Sequence, residues 1–242
     1  MYALFLKEIR SFLNSLIGYI TVVVFLIATG IFMWVFSGPS NVLDFGEASL
    51  KSLFINAPNI FLFLIPAITM RSFAEEKRTG TIELLMTKPL SDFQIILAKY
   101  FAGLTLVLLS LLPTLIFYYS VVELGDPIGN IDHASTWGAY IGLFLLGAVF
   151  VAIGIFASSI TSNQVIAFMI ALLLCFTMYI GFQFLAAIFS APLDLIFMNL
   201  GIREHYVSVQ RGVIDSRDII YYFSAISLFL LLTKLALQTR KW

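Results

Sequence analysis

The chain has 242 residues, of which 60% are hydrophobic and 12% charged. That charged share is about half of what a soluble domain carries, and so much Phe, Leu and Ile cannot be hidden in one water-soluble core of this size. The formal net charge is zero, which argues against nucleic acid as a partner and against a basic surface-bound protein.

Residues 1–15 come first. Tyr2, Phe5, Ile9, Phe12 and Leu16 recur at three- or four-residue spacing, with Lys7, Glu8, Arg10 and Asn14 off that stripe. This is the pattern of an amphipathic helix lying along a membrane interface. Lys7 and Arg10 ahead of an apolar run imitate a secretory signal. The run 16–36, however, is longer than a signal core and ends without a small-x-small cleavage site, so it reads as an uncleaved first span. A crossing helix needs roughly 20 apolar residues for a hydrocarbon core about 30 Å thick. Six segments qualify: 16–36, 52–70, 95–119, 137–157, 165–189 and 219–237. Pro66 and Pro113 fall inside spans, where neighbouring helices can repair the lost backbone bond. Gly142, Gly147, Gly154, Ala148 and Ala152 give the fourth span a surface for close packing.

Lys and Arg set the orientation. Lys7, Arg10, Arg71, Lys77, Arg78, Lys88, Lys99, Lys234, Arg240 and Lys241 fall on one side, against Lys51, Arg203, Arg211 and Arg217 on the other. By the positive-inside rule both termini and the segment 71–99 face the cytoplasm.

The segment 71–94 is the longest on that side. Residues 73–78 continue the second helix in polar form, Gly80 suits its C-terminal cap, and Thr81 suits the N-cap of a short helix that Pro89 ends. Ser91 and Asp92 offer a new cap for the third span. The short helix carries Ile82, Leu84, Leu85 and Met86 into an aqueous loop. Either it is a solvated connector whose charges only fix topology, or its apolar residues have a partner in lipid or protein. On the opposite side, 190–218 is the longest loop; its part 192–200 is too short to span and reads as a re-entrant or interfacial helix or a cap over the bundle.

Site chemistry is sparse. The chain has no Gly-x-x-x-x-Gly-Lys-Ser/Thr phosphate cradle. His133 and His205 lack metal spacing and read as surface residues. Ser158 and Ser159 have no nucleophile elbow. Cys175, the lone cysteine, reads as a small buried hydrophobe. Tyr and Cys apart, Lys99 and Lys234 are the ionisable side chains within the spans, and both lie near ends. Proton- or ion-coupled transporters generally place a carboxylate at mid-membrane, so this inventory weighs against an ion-coupled secondary transporter or channel, the main alternative. A membrane-embedded enzyme ranks last, for want of convergent polar groups at depth. No cofactor is expected.

The segment from Phe73 to Ser91 resembles the signature of the type-2 ABC exporter permeases, Glu-Lys/Arg-x-x-Gly-Thr-x-Glu-x-Leu followed by Pro. It is met by Glu76, Lys77, Gly80, Thr81, Glu83, Leu85 and Pro89. The interfacial elbow helix, six spans and a long last external loop also fit, so the resemblance covers residues 1–242 as one permease domain. The ending, from Arg211 through Gly212, Val213 and Ile214 to Tyr222 and then Arg240-Lys241-Trp242, looks like the narrower group that includes gliding-motility permeases of the Bacteroidetes and copper- and sodium-associated relatives. The resemblance implies an all-α polytopic membrane protein, itself non-catalytic, in a bacterial inner membrane. It would pair with itself or a sister permease and sit on separate ABC ATPase subunits. It implies ATPase coupling through Gly80 as the turn, Thr81 as the cap, and Ile82, Glu83, Leu84 and Leu85 as the contact surface. The cargo is not implied, because a fold does not fix it.

Overall fold

The computed structural model describes residues 1–38, 41–87, 89–213 and 215–239. Lys88, Ile214, Arg240, Lys241 and Trp242, used above for topology and for the ending, lie outside the described residues, as does the Met86 side chain. Among the described residues the secondary structure is helical throughout. In chain order, α1 (Tyr2–Leu13) turns into α2 (Leu16–Trp34), and a one-turn α3 (Val42–Phe45) follows. Then come α4 (Lys51–Thr69), α5 (Arg71–Arg78) and α6 (Thr81–Met86). The third span is α7 (Asp92–Leu111) and α8 (Leu115–Leu124), joined by a tighter turn at Leu112–Thr114. After α9 (His133–Ile160) the chain forms α10 (Gln164–Phe176) and α11 (Phe182–Ile188), joined by a wide π turn at Thr177–Gly181. The last elements are α12 (Leu193–Leu200), α13 (Ile202–Gln210) and α14 (Ser216–Gln238).

Five of the resulting rods are long and apolar enough to cross a membrane, and α1 with α2, bent 63° from each other, makes a sixth when the pair is counted as one span. The protein is therefore an all-α polytopic membrane protein, and the six rods fall on the six predicted apolar runs. Short polar residues start them. Ser15, Asp132, Asn163 and Asp215 each accept a backbone N–H at a helix start. Ser91 and Gln94 form a reciprocal capping box at α7, satisfying orphan donors that lipid cannot serve.

The hub is α9, packed by α4, α7, α10, α13 and α14. Of its apolar stretch 78% is buried, against 22% for α10 with α11; α9 is the core and α10–α11 the rim. Its small residues let backbones approach. A Cβ on Gly154 would lie 1.9 Å from Thr69 Oγ1, and one on Gly147 would lie 2.7 Å from Val107 Cγ1. No side chain larger than glycine fits there without parting α9 from α4 and α7.

Pro58 lies inside α4 and has no N–H for the carbonyl of Phe54 one turn back. The buried Tyr206 hydroxyl of α13 supplies the missing donor, at 2.7 Å from Phe54 O, and burial pushes its phenol pKa up. So α13, within the segment 190–218 expected as a loop, sets Ile202, Tyr206 and Val209 into the bundle. Its neighbour α12 buries no residue and lies beside α11.

Candidate functional site

The densest polar construction gathers α1, α5, the start of α7 and the end of α9 at one end of the bundle. Lys99, in the second turn of α7, has a side chain only 1% exposed. An ammonium taken out of water needs all its donors satisfied and its charge matched. Lys99 Nζ meets Glu8 Oε1 of α1 at 3.1 Å, Glu76 Oε1 of α5 at 3.0 Å and the carbonyl of Ser72 at 2.7 Å. It also stands 5.0 Å from the ring centroid of Phe73, within cation–π range. Lys7 lies 3.4 Å from Glu76 and 3.6 Å from Glu8, giving the two carboxylates a second, more exposed cation. One lysine thus joins three helices that are distant in sequence.

The junction of α4 and α5 at Met70 is held from α9. The N–H groups of Phe73 and Ala74 donate to Ser158 Oγ at 2.9 and 3.0 Å, and Ser158 Oγ donates to Met70 O at 3.0 Å. A hydroxyl from another helix therefore caps α5, whose first N–H groups have no partner within their own turn. Lys77 adds a hydrogen bond to the carbonyl of Ser159. With α5 fixed to α1, α7 and α9, the short helix α6 rests on a rigid base.

Gly80 has φ +71°, a left-handed conformation that suits glycine, and it reverses the chain between α5 and α6. It occupies the N-cap of α6, with no side-chain cap, and Thr81 is the first helical residue. The expected Thr81 cap is therefore absent. Its hydroxyl lies 2.9 Å from that of Thr79 and 3.5 Å from Glu76 O. A six-residue helix has two faces, and here they differ. Ile82 and Leu85 are each 6% exposed and join the core, while Leu84 is 67% exposed, with Thr81 and Glu83 also outside. The six residues singled out by sequence are adjacent in space, but they divide into anchors (Ile82, Leu85), a turn (Gly80) and an outward face (Thr81, Glu83, Leu84).

Sequence reasoning passed over Glu8, the pairing of Glu76, and Ser158. The expected polar face of α1 contained Glu8, yet Glu8 and Leu4 are the buried residues of that helix and Tyr2 is 73% exposed. The available signal was Lys99, a charge within an apolar run that had to find partners. Among the described residues no group of His, Cys, Asp and Glu could hold a metal ion. His133 accepts or donates to the Tyr118 hydroxyl at 2.6 Å. His205 lies 2.7 Å from Asp218 and 3.0 Å from Asn199 O, tying the α12–α13 turn to α14.

A family model described as ABC-2 family transporter protein matches residues 47–203, well over half of the chain. The match runs from just before α4 into α13 and includes Gly80 to Leu85 and Lys99. None of the curated proteins matches the chain.

Proposed function

The chain belongs to the ABC-2 family of transporter proteins, and from that premise we infer that this membrane-spanning permease subunit works in an exporter driven by a separate ATPase chain. In this reading the end carrying α1, α5 and α6 faces the cytoplasm of a bacterium, with both termini on that side, as the Lys and Arg distribution favours. The observation that carries the reading is the split of α6. Ile82 and Leu85 root it in the core while Leu84 stands in water at 67% exposure. An exposed leucine by itself is ordinary. One raised on an anchored stub beside a buried ionic joint fits a contact made for a partner.

Nucleotide-driven closure of two ATPase chains would press on Thr81, Glu83 and Leu84. Because α6 is rooted on α5, and α5 is tied to α1, α7 and α9, the push would move those elements together and not bend α6 alone. The partner biases the two membrane states only through a contact that differs between them. A second permease, either another copy or a sister chain, would complete the path. The ending that resembles gliding-motility permeases makes surface motility the export process we assign.

The test is purification of the tagged chain from its native membranes, with an ABC ATPase chain expected to co-purify. Leu84→Asp should lower ATPase retention about tenfold, the loss of one well-placed apolar contact, while the melting temperature stays near wild type. Full retention by Leu84→Asp sinks the contact. Transport that persists without ATP and stops when an ion gradient is dissipated would instead favour a secondary transporter.

A further inference from the structure

Between α1, α5 and the start of α7 lies a cavity of about 180 Å³. Lys7, Arg71 and Lys99 line it against Glu8, Glu75 and Glu76, so its wall charges sum to zero. Lys99 is already saturated by three acceptors. Two other atoms are not. Arg71 Nε, a donor, and Glu76 Oε2, an acceptor, are both buried with no hydrogen-bond partner among the described residues. Native proteins rarely leave such groups empty-handed.

The pairing restricts the guest. A simple anion would suit Arg71 but face three carboxylates, and a simple cation would suit Glu76 but face three cations. A zwitterion answers both. Position narrows it further, because Ser15, the last residue before α2, also lines the cavity. The cavity thus reaches the corner where the interfacial helix turns into the bilayer. From that corner α2 displays Leu16, Ile20, Val24 and Ile27 at 75, 48, 48 and 55% exposure, a stripe along which acyl chains can lie.

We propose that this cavity binds the head group of an aminophospholipid in the leaflet on the α1 side. Its phosphodiester would accept from Arg71 Nε–H, and its primary ammonium would donate to Glu76 Oε2. A trimethylated ammonium has no N–H to donate, and a glycerol head group has no cation. The site therefore discriminates among common phospholipids by hydrogen bonding, not by charge alone. The proposal does not depend on the ATPase contact at Leu84.

The full chain, extracted in mild detergent and loaded with equal mole fractions of phosphatidylethanolamine, phosphatidylcholine and phosphatidylglycerol, is read by native mass spectrometry. Phosphatidylethanolamine should be retained about tenfold over the other two, the worth of one charge-assisted hydrogen bond. Arg71→Leu should weaken retention of all three lipids alike, since each carries the phosphodiester, whereas Glu76→Gln, which removes the charged acceptor, should largely remove the preference. Equal retention of the three lipids by the wild-type chain overturns the proposal without recourse to any variant. So does an unchanged preference in a folded Glu76→Gln protein, or undiminished lipid retention in a folded Arg71→Leu protein. Displacement of the lipid by millimolar soluble phosphoethanolamine, with the same protection against unfolding, would show that the free head group is the ligand and overturn the lipid assignment.

Discussion

Lys99 joins α1 to α5 with a side chain that solvent hardly reaches, so its removal is not the loss of a surface ion pair. Lys99→Met leaves Glu8 and Glu76 facing each other with the exposed Lys7 as the cation still paired to them. Breaking a buried pair from one side costs about 3–5 kcal/mol, and the detergent-solubilised protein should unfold at a clearly lower temperature. Adding Glu8→Gln and Glu76→Gln to Lys99→Met should recover part of the loss, since the stranded charges then disappear. A wild-type melting curve for Lys99→Met would show that the joint is not structural. This residue was half legible in the sequence. Its charge within an apolar run stood out, but its partners did not. The face of α1 that enters the protein carries Glu8 and Leu4, while part of the apolar stripe, Tyr2 and Leu16 among it, stays outside the protein. Hydrophobic period distinguishes oil from water, and in a membrane protein the oil lies on the outside as well.

The elements were legible to different degrees for the same reason. All six apolar runs became helices, five of them long and apolar enough to cross on their own, because only hydrogen-bonded helices or closed barrels span lipid. The capping box at Ser91 followed from local chemistry. What sequence did not yield was α13, a short helix whose period sits in Ile202, Tyr206 and Val209 amid charged residues, and whose purpose depends on a proline about 150 positions away. Tyr206→Phe tests that dependence. It keeps the ring and removes the donor, leaving the Phe54 carbonyl buried beside Pro58 without a partner, at a cost of about 1–3 kcal/mol. Thermal unfolding of the two proteins should show the difference, and matched curves would mean that another donor reaches Phe54. The split of α6 was likewise out of reach. Its composition showed apolar residues in a loop, but which of Ile82, Leu84 and Leu85 turns inward depends on the reversal at Gly80.

At the scale of the whole molecule, the orientation rests on charge and can be measured directly. Cys175 is fully buried and should stay silent to an impermeant maleimide, so single cysteines can be introduced against a clean background. Leu84→Cys should label only after the membrane is opened or inverted. Val213→Cys, 62% exposed in the turn before α14, should label in intact cells. The reverse pattern would turn the protein over and remove α6 from any cytoplasmic enzyme. The family match supplies the class of machine, while the order of helices around α9 is a product of packing that hydropathy cannot rank.

The tie between Tyr206 and Phe54 has a mechanical corollary. From Lys51 to Arg78 the chain is a nearly continuous rod of 28 residues, about 42 Å at the usual helical rise. One extremity is tethered to α13 on the far side of the bilayer, and the other bears α6. Such a beam cannot tilt at its foot without dragging on its head. Whatever clamps α13 should therefore stiffen α6 at the other end, and the two faces of the membrane share one lever.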